Sequence, residues 1–240
     1  MSCQSFHDSS HWLVVSSFNV IAVKANTAAD LSLRIPVAVD GVVIGRLVCV
    51  DRGRCEDHEL QRDLSDWRAR YMKYFLTQFK VSHERTLNWL RDVVLPSPDR
   101  LLFTIETADG IRIGHIGLCN IRSTSIELDN LIRGRKGGGA NLIRHSEIAL
   151  LKWGFKVLNA GEAALHVFSN NRVTIALHES VGFVYRSRSS LTRVAQDDEC
   201  HYVVGGMGSD QTLFQYVEMT IDKSDFFQRH GGVAEMNDGR

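Results

Sequence analysis

Glu127-Leu128-Asp129-Asn130-Leu131-Ile132-Arg133-Gly134-Arg135-Lys136-Gly137-Gly138-Gly139-Ala140 is the stretch on which the reading of this chain turns. From Ser125 to Ile132 it reads as a strand, and from Asn141 to Val157 the spacing is helical. Between them lies a loop of small residues. Glycines there let main-chain N–H groups approach one centre, and the helix start adds partial positive charge to it. Such a centre is a cradle for phosphate or pyrophosphate. Arg133, Arg135 and Lys136 place three formal positive charges around it. No Gly-Lys-Ser/Thr follows, so this is no Walker loop, and the dinucleotide GxGxxG context does not fit either. A plain glycine linker is the alternative on these residues alone.

Upstream, Leu33–Val39, Asp40-Gly41 and Val42–Val50 read as a hairpin, since Asp-Gly supplies the positive φ angles of a tight turn. Leu60, Leu64, Trp67, Tyr71 and Phe75 predict a helix from Asp57 to Phe79. A second helix is expected over Ser82–Val94, with Ser82 as N-cap and Pro96 and Pro98 as the stop. Leu101–Thr107 and Ile111–Asn120 form another hairpin about Asp109-Gly110. Downstream come a strand at Ala164–Ser169, a short helix at Arg172–Ser180 and a strand at Val184–Thr192. Asp197–Asp210 reads as a loop and Phe214–Ile221 as the last strand. The expected organisation is an N-terminal extension with a hairpin over 1–50, one α/β (α+β) domain over 51–225, and a flexible tail over 226–240.

Composition narrows the function. Lys plus Arg equals Asp plus Glu, at 28 each, which argues against nucleic acid as a partner. No run of roughly 18 apolar residues suits a membrane span, and the N-terminus lacks the basic region of a signal peptide. The five cysteines, Cys3, Cys49, Cys55, Cys119 and Cys200, are odd in number and form no CxxC pair. They predict no disulfide framework and no metal site, and the cytoplasm as location.

Two linked passages carry a family resemblance. Arg135-Lys136-Gly137-Gly138-Gly139-Ala140 matches the R/Q-x-x-G-x-G/A signature with which GNAT acyltransferases hold the coenzyme A pyrophosphate. Val167-Phe168-Ser169-Asn170-Asn171, the helix after it and Gly182-Phe183 resemble the family's second signature. Glu147-Ile148-Ala149-Leu150-Leu151-Lys152-Trp153 is similar to its central helix. The resemblance spans about residues 57 to 222. It implies a mixed, mostly antiparallel central sheet with helices on both faces, acetyl-CoA or another acyl-CoA as co-substrate, and acyl transfer to an amine. Trp67-Arg68, Trp89-Leu90, Gly114-His115-Ile116-Gly117-Leu118, Asp129-Asn130-x-Ile132-Arg133-Gly134 and Tyr216–Ile221 resemble the branch that acylates amino sugars, often nucleotide-linked, and its relatives that acetylate protein N-termini.

The resemblance assigns Leu131, Ile132, Arg133, Arg135, Lys136, Gly137, Gly138, Gly139, Ala140 and Asn171 to the coenzyme, and His115, Asn130 and Arg68 to the acceptor. The attacking amine must lose a proton, and the base commonly sits on the strand before the cradle. Glu127 is the first choice and Asp129 the second, two residues apart and so on one face; an ordinary solvated carboxylate is the alternative for each. His115 is an alternative base or a buried core histidine. Many members place a tyrosine seven residues after the second-motif Asn, where it protonates the leaving thiolate; here that residue is His178. A histidine can donate a proton, or it can be a helix residue without a role. Asn171 bonds the coenzyme or caps its helix. Three functions remain open: acylation of a small-molecule amine, led by a nucleotide-linked amino sugar; acetylation of a protein N-terminus; and binding of acyl-CoA without turnover. The first 50 residues complete the sheet or make a homodimer contact.

Overall fold

The computed structural model describes residues 18–139, 141–197, 199–206 and 210–231, apart from the side chain of Ala29. Cys3 and the rest of residues 1–17, the first third of the expected extension over 1–50, lie outside them. The chain begins with a short helix, α1 (Val20–Lys24). Lys24 is 1% exposed, and its Nζ donates to the carbonyls of Val94, Ser97 and Arg100. Burial lowers its pKa to about 8. This single ammonium ties the start of the chain to the loop that carries Arg100.

The expected hairpin follows as β1 (Arg34–Val39) and β2 (Val42–Cys49). After α2 (Arg52–Cys55), Asp57 caps α3 (His58–Tyr71) by accepting from the amides of Glu59 and Leu60. α3 ends eight residues before the expected Phe79. A 3-10 turn, Met72–Tyr74, leads instead to a two-residue strand, β3 (Thr77–Gln78). Phe75 and Phe79 continue the aromatic spacing but stack on Arg68, whose guanidinium carbon is 3.4 Å and 5.6 Å from their ring centroids. Spacing alone does not distinguish that packing from another helical turn. α4 (His83–Trp89) has Ser82 as its N-cap, as expected, and continues as a π turn over Leu90–Val94.

Next come β4 (Leu101–Thr107), β5 (Arg112–Cys119), β6 (Ser125–Arg133), α5 (Leu142–Val157), β7 (Glu162–Phe168), α6 (Arg172–Val181) and β8 (Val184–Ser189). Where one strand to Thr192 was expected, the chain leaves the sheet at Ser190 and starts β9 (Leu191–Gln196). The expected loop 197–210 contains β10 (Glu199–Val204), paired with β9 from Gln196↔Glu199 to Leu191↔Val204. Charged residues at its turn hid the run Tyr202-Val203-Val204. β11 (Tyr216–Asp222) leads into α7 (Lys223–His230), where the tail was placed. Phe226 there is fully buried and packs on Phe155, with ring centroids 5.2 Å apart.

The main sheet runs β1-β2-β4-β5-β6-β7-β11-β8, and β3-β10-β9 forms a small second sheet. Among the described residues only β6 and β7 pair in parallel, and the other ladders are antiparallel. The β1–β2 hairpin is continuous with the large sheet through β2–β4 pairing. Helices cover both faces. Leu101, Phe103 and Ile105 of β4 join a core with Leu150, Leu151 and Phe155 of α5, whereas Leu102 packs with Leu60, Leu64 and Trp67 of α3. Successive strand residues point to opposite faces, so both faces are dry and all of β4 is buried. Among the described residues no helix is long and apolar enough to cross a membrane.

Candidate active site

The site opens where β6 and β7 part. Their parallel pairing runs from Ser125↔Glu162 to Leu128↔Leu165 and stops. Beyond it, β6 stays on β5 as far as Arg133 and β7 stays on β11 as far as Phe168. Each strand keeps its outer neighbour, so the sheet splits into a V. A bulge in β6 lies at the split. Asn130 has a φ of 52°, and Asn130 and Leu131 together stand against Ile116 alone. The extra residue reverses the alternation: Ile126 and Leu128 pack in the α5 core, but Ile132 joins the α3 cluster. Past Leu128 the edge of β6 that faced β7 has no strand partner, which leaves main-chain N–H groups for a ligand.

A cavity of about 1120 Å³ occupies the V and reaches α3, α4, the start of α5 and α6. Leu131, Ile132, Arg133 and Asn171 line it, as do Glu127, Asp129, Asn130, His115, Arg68 and His178. The cradle loop itself stands beside the lining. Gly137, Gly138 and Gly139 take φ of 150°, 67° and 75°, a region costly for residues with a Cβ. Amides from Lys136 to Gly139 bond no main-chain carbonyl among the described residues. Asn141 makes no side-chain cap bond on α5, and Ile143 and Arg144 face the cavity. Arg135, expected at the coenzyme, is paired with Asp63, which also holds Arg112. Ala140 lies outside the described residues.

The two candidate bases differ in their surroundings. Glu127 accepts from Asn120 Nδ2 at 2.6 Å and meets His166 Nδ1 at 2.8 Å. Burial raises the Glu127 carboxyl, but the bonds from His166 and Asn120 outweigh it and hold it below the usual range. His166 is raised by the same bond, against its own burial. Asp129 is closed in by Arg100 and by both the amide and the side chain of Asn130. Both oxygens of Asp129 are thus engaged in holding the bulge and Arg100. His115 is buried and stacked on Trp67, with centroids 6.0 Å apart. Burial lowers it to about 4, so at pH 7 it is neutral and a weak base. Its Nδ1 has no partner, and neither has Nε of Arg68; burial lowers Arg68 to about 10.

On α6, the side chain of Asn171 makes no cap bond, which leaves it free toward the cavity. His178 Nδ1 lies 2.7 Å from Oε1 of Glu147 on α5, and both side chains are buried. His166, Tyr216, Arg100 and Glu147 are the residues sequence reasoning missed. His166 stacks on Tyr216 at 4.9 Å, and burial, then the charges of Glu127 and Asp129, raise the Tyr216 hydroxyl. Among the described residues no group of three or more His, Cys, Asp or Glu side chains is placed to hold a metal.

The family model of the acetyltransferase (GNAT) domain matches residues 54–184, more than half of the chain. The chain belongs to the GNAT acetyltransferases. Solved structures share the fold. A spermidine N-acetyltransferase from Vibrio cholerae, in complex with CoA and spermine, has a TM-score of 0.56 at 21% identity, covering 75% of this chain and 96% of its own. A GNAT-family protein from Chromobacterium violaceum has a TM-score of 0.58 at 15% identity, covering 85% and 91%. No curated protein matches the sequence. GNAT chemistry makes the protein an acyl-CoA-dependent acetyltransferase, and the V between β6 and β7 suits that co-substrate: a narrow slot between strands, free main-chain amides, and a helix start with a basic rim.

One expectation follows for the carboxylate pair. Replacing His166 with Ala removes the largest of the interactions holding Glu127 down, so its pKa rises. With Glu127 as the base, which acts ionised, the acid limb of a kcat/KM profile is expected to move to higher pH. An unmoved limb would show that the limb belongs to another group.

Proposed function

We propose that the protein transfers an acetyl group from acetyl-CoA to the primary amine of a small molecule that carries an anionic group, with a nucleotide-linked amino sugar as the acceptor class. The observation that carries this reading is the acceptor side of the cavity: Glu127 stands with Arg68, Arg85 and Arg100, beside Tyr71, Phe75 and Trp89. Guanidinium groups recognise phosphate, and aromatic faces suit a base or sugar. Arg100 pairs with Asp129 and Arg85 with Glu199, so Arg68 is the guanidinium on this side outside those ion pairs, and Glu127, held by Asn120 and His166, is the carboxylate a polycation such as spermidine would meet.

In this reading Glu127 takes the proton from the attacking amine, directly or through one water. Free N–H groups on β6 beyond the bulge stabilise the oxyanion that forms on the thioester carbonyl. The start of α5 and the glycine loop hold the pyrophosphate, and Asn171 bonds the pantetheine arm. Arg68 and His115, whose Nε and Nδ1 have no protein partner, contact the acceptor.

The test is free-thiol release from acetyl-CoA with dTDP- and UDP-linked amino sugars, spermidine, and short peptides with free N-termini. Release with the nucleotide sugars is expected, with little from spermidine. Turnover of spermidine or of a peptide alone would overturn the acceptor class. If acetyl-CoA neither turns over nor protects the protein against heat, the coenzyme reading itself is wrong.

A further inference from the structure

Asp63, Trp67 and Arg70 of α3 are four and three residues apart and so share one face of the helix. All three bear on Gly134 and Arg135, the turn through which β6 enters the glycine loop. The Trp67 ring lies so close to Gly134 that a Cβ there would stand 1.9 Å from it. Arg70 Nη1 donates to the Gly134 carbonyl at 2.6 Å, and Arg135 Nη2 donates to Oδ1 of Asp63. Oδ2 of Asp63 accepts from Nη1 of Arg112 on β5 at 2.9 Å, and Nη2 of Arg112 reaches Asp57, the cap of α3, at 2.8 Å. Asp63 is therefore a fixed receptor, its side chain 16% exposed. The main chain of the turn is engaged as well, since the amides of Gly134 and Arg135 both donate to the Ile113 carbonyl. Among the described residues, amides without a main-chain partner begin at Lys136. Arg133 and Arg144 stand in the cavity wall, and Arg135 does not.

We infer that Arg135 anchors the cradle to α3 instead of binding phosphate, and that Asp63 and Arg70 are the positioning residues that set the glycine loop against the coenzyme. This rests on the acyl-CoA reading of the V. A phosphate at the Arg135 guanidinium would lie beside the Asp63 carboxylate, a like charge that Arg112 holds in place. It would also draw Arg135 off the Trp67 ring, over which its guanidinium carbon stands at 5.7 Å. The charge facing the pyrophosphate then comes from the rest of the basic rim. The need for an anchor follows from the loop. Gly137, Gly138 and Gly139 take positive φ and have wide conformational freedom, so their amides converge on one centre only if the chain enters from a fixed point. Gly134 and Arg135 are that point, held by two main-chain bonds to β5, one bond from Arg70 and the ion pair to Asp63. Preorganisation of this kind lowers the ordering cost of binding. α3 serves the other substrate too, because Leu64, Arg68 and Tyr71, each one residue on from the anchoring set, line the cavity. One helix thus fixes where both substrates meet.

The experiment measures coenzyme A binding by calorimetry on Asp63→Asn, Arg135→Gln, their double variant and Arg70→Met. Each single change is expected to weaken coenzyme A by about threefold to tenfold. The double variant binds no more weakly than either of its singles, because the two residues form one contact. Pantetheine, which lacks the pyrophosphate, binds every variant as it binds the wild type, a selectivity that general loosening of the fold would not give. Arg135→Gln leaves the Asp63–Arg112 pair intact, so it reads the anchor even if Asp63→Asn fails to fold. Its coenzyme A affinity keeps the wild-type dependence on ionic strength, because no phosphate contact is lost; a flattened dependence marks a phosphate ligand and overturns the proposal. Tighter binding by Asp63→Asn also overturns it, since Asp63 would then be holding a phosphate ligand back. So do losses that multiply in the double variant, pantetheine weakened in step with coenzyme A, and unchanged coenzyme A affinity in Arg135→Gln or Arg70→Met. A wild-type protein that binds no coenzyme A overturns the acyl-CoA reading itself, and this inference with it.

Discussion

Glu127→Gln lowers amine-dependent thiol release by roughly a hundredfold or more, the range in which a positioned base contributes. The substitution is nearly isosteric, and its amide oxygen still accepts from Asn120, so the wall of the cavity keeps its shape. What it loses is the carboxylate that the His166 and Asn120 bonds keep ionised. Acetyl-CoA protection against heat stays at the wild-type level, because Glu127 sits before the bulge and the free amides of β6 lie beyond it. Asp129→Asn has a different signature. Asp129 holds Arg100 and caps the Asn130 amide, so its loss disturbs the bulge and raises KM for both substrates along with a drop in kcat. Should Glu127→Gln retain more than about a third of the rate while Asp129→Asn abolishes it with KM unchanged, the two assignments exchange.

How much of this was legible in the sequence differs between fold and site. The strand, glycine loop and helix around residues 125–157 were readable because each has a strong local signal: alternation, positive φ and helical spacing. The early end of α3 was not readable, because Phe75 and Phe79 keep the helical interval while packing on Arg68 in a non-helical segment. β10 was hidden by its polar turn. In the site, Glu127 and Asn171, which line the cavity, can be singled out from their place relative to the motifs. His166 cannot, since it reaches Glu127 only through the parallel register that sets Glu127 against Ala164, and a register is a property of two distant segments. Glu147 was quoted only as part of the central helix. Its meaning depends on His178, 31 residues later, and on the angle at which α6 crosses α5.

Gly134→Ala is expected to cost stability through contact with one side chain. A Cβ there would lie 1.9, 2.0 and 2.4 Å from three atoms of the Trp67 ring. No positive φ is involved at this glycine, so the main chain tolerates any residue and the whole effect is the ring. Trp67 is 2% exposed and sits between this turn and His115, with no free space to retreat into. The Gly134 amide donates to Ile113 at 2.8 Å and its carbonyl accepts from Arg70 at 2.6 Å, so the loop cannot move either. Overpacking of this kind costs about 1–3 kcal/mol, and at this chain length each kcal/mol lowers Tm by roughly 2–4 °C. Gly139→Ala is the control: its φ of 75° is strained for alanine, but nothing lies within 4 Å, so it loses about 1–2 kcal/mol from the backbone alone. The pairing Gly134→Ala with Trp67→Leu separates the causes. If the ring is the obstacle, the second change restores Tm relative to Trp67→Leu alone, so that alanine at 134 becomes nearly neutral in that background. If alanine costs as much without the ring as with it, the constraint lies in the turn that leads β6 into the cradle.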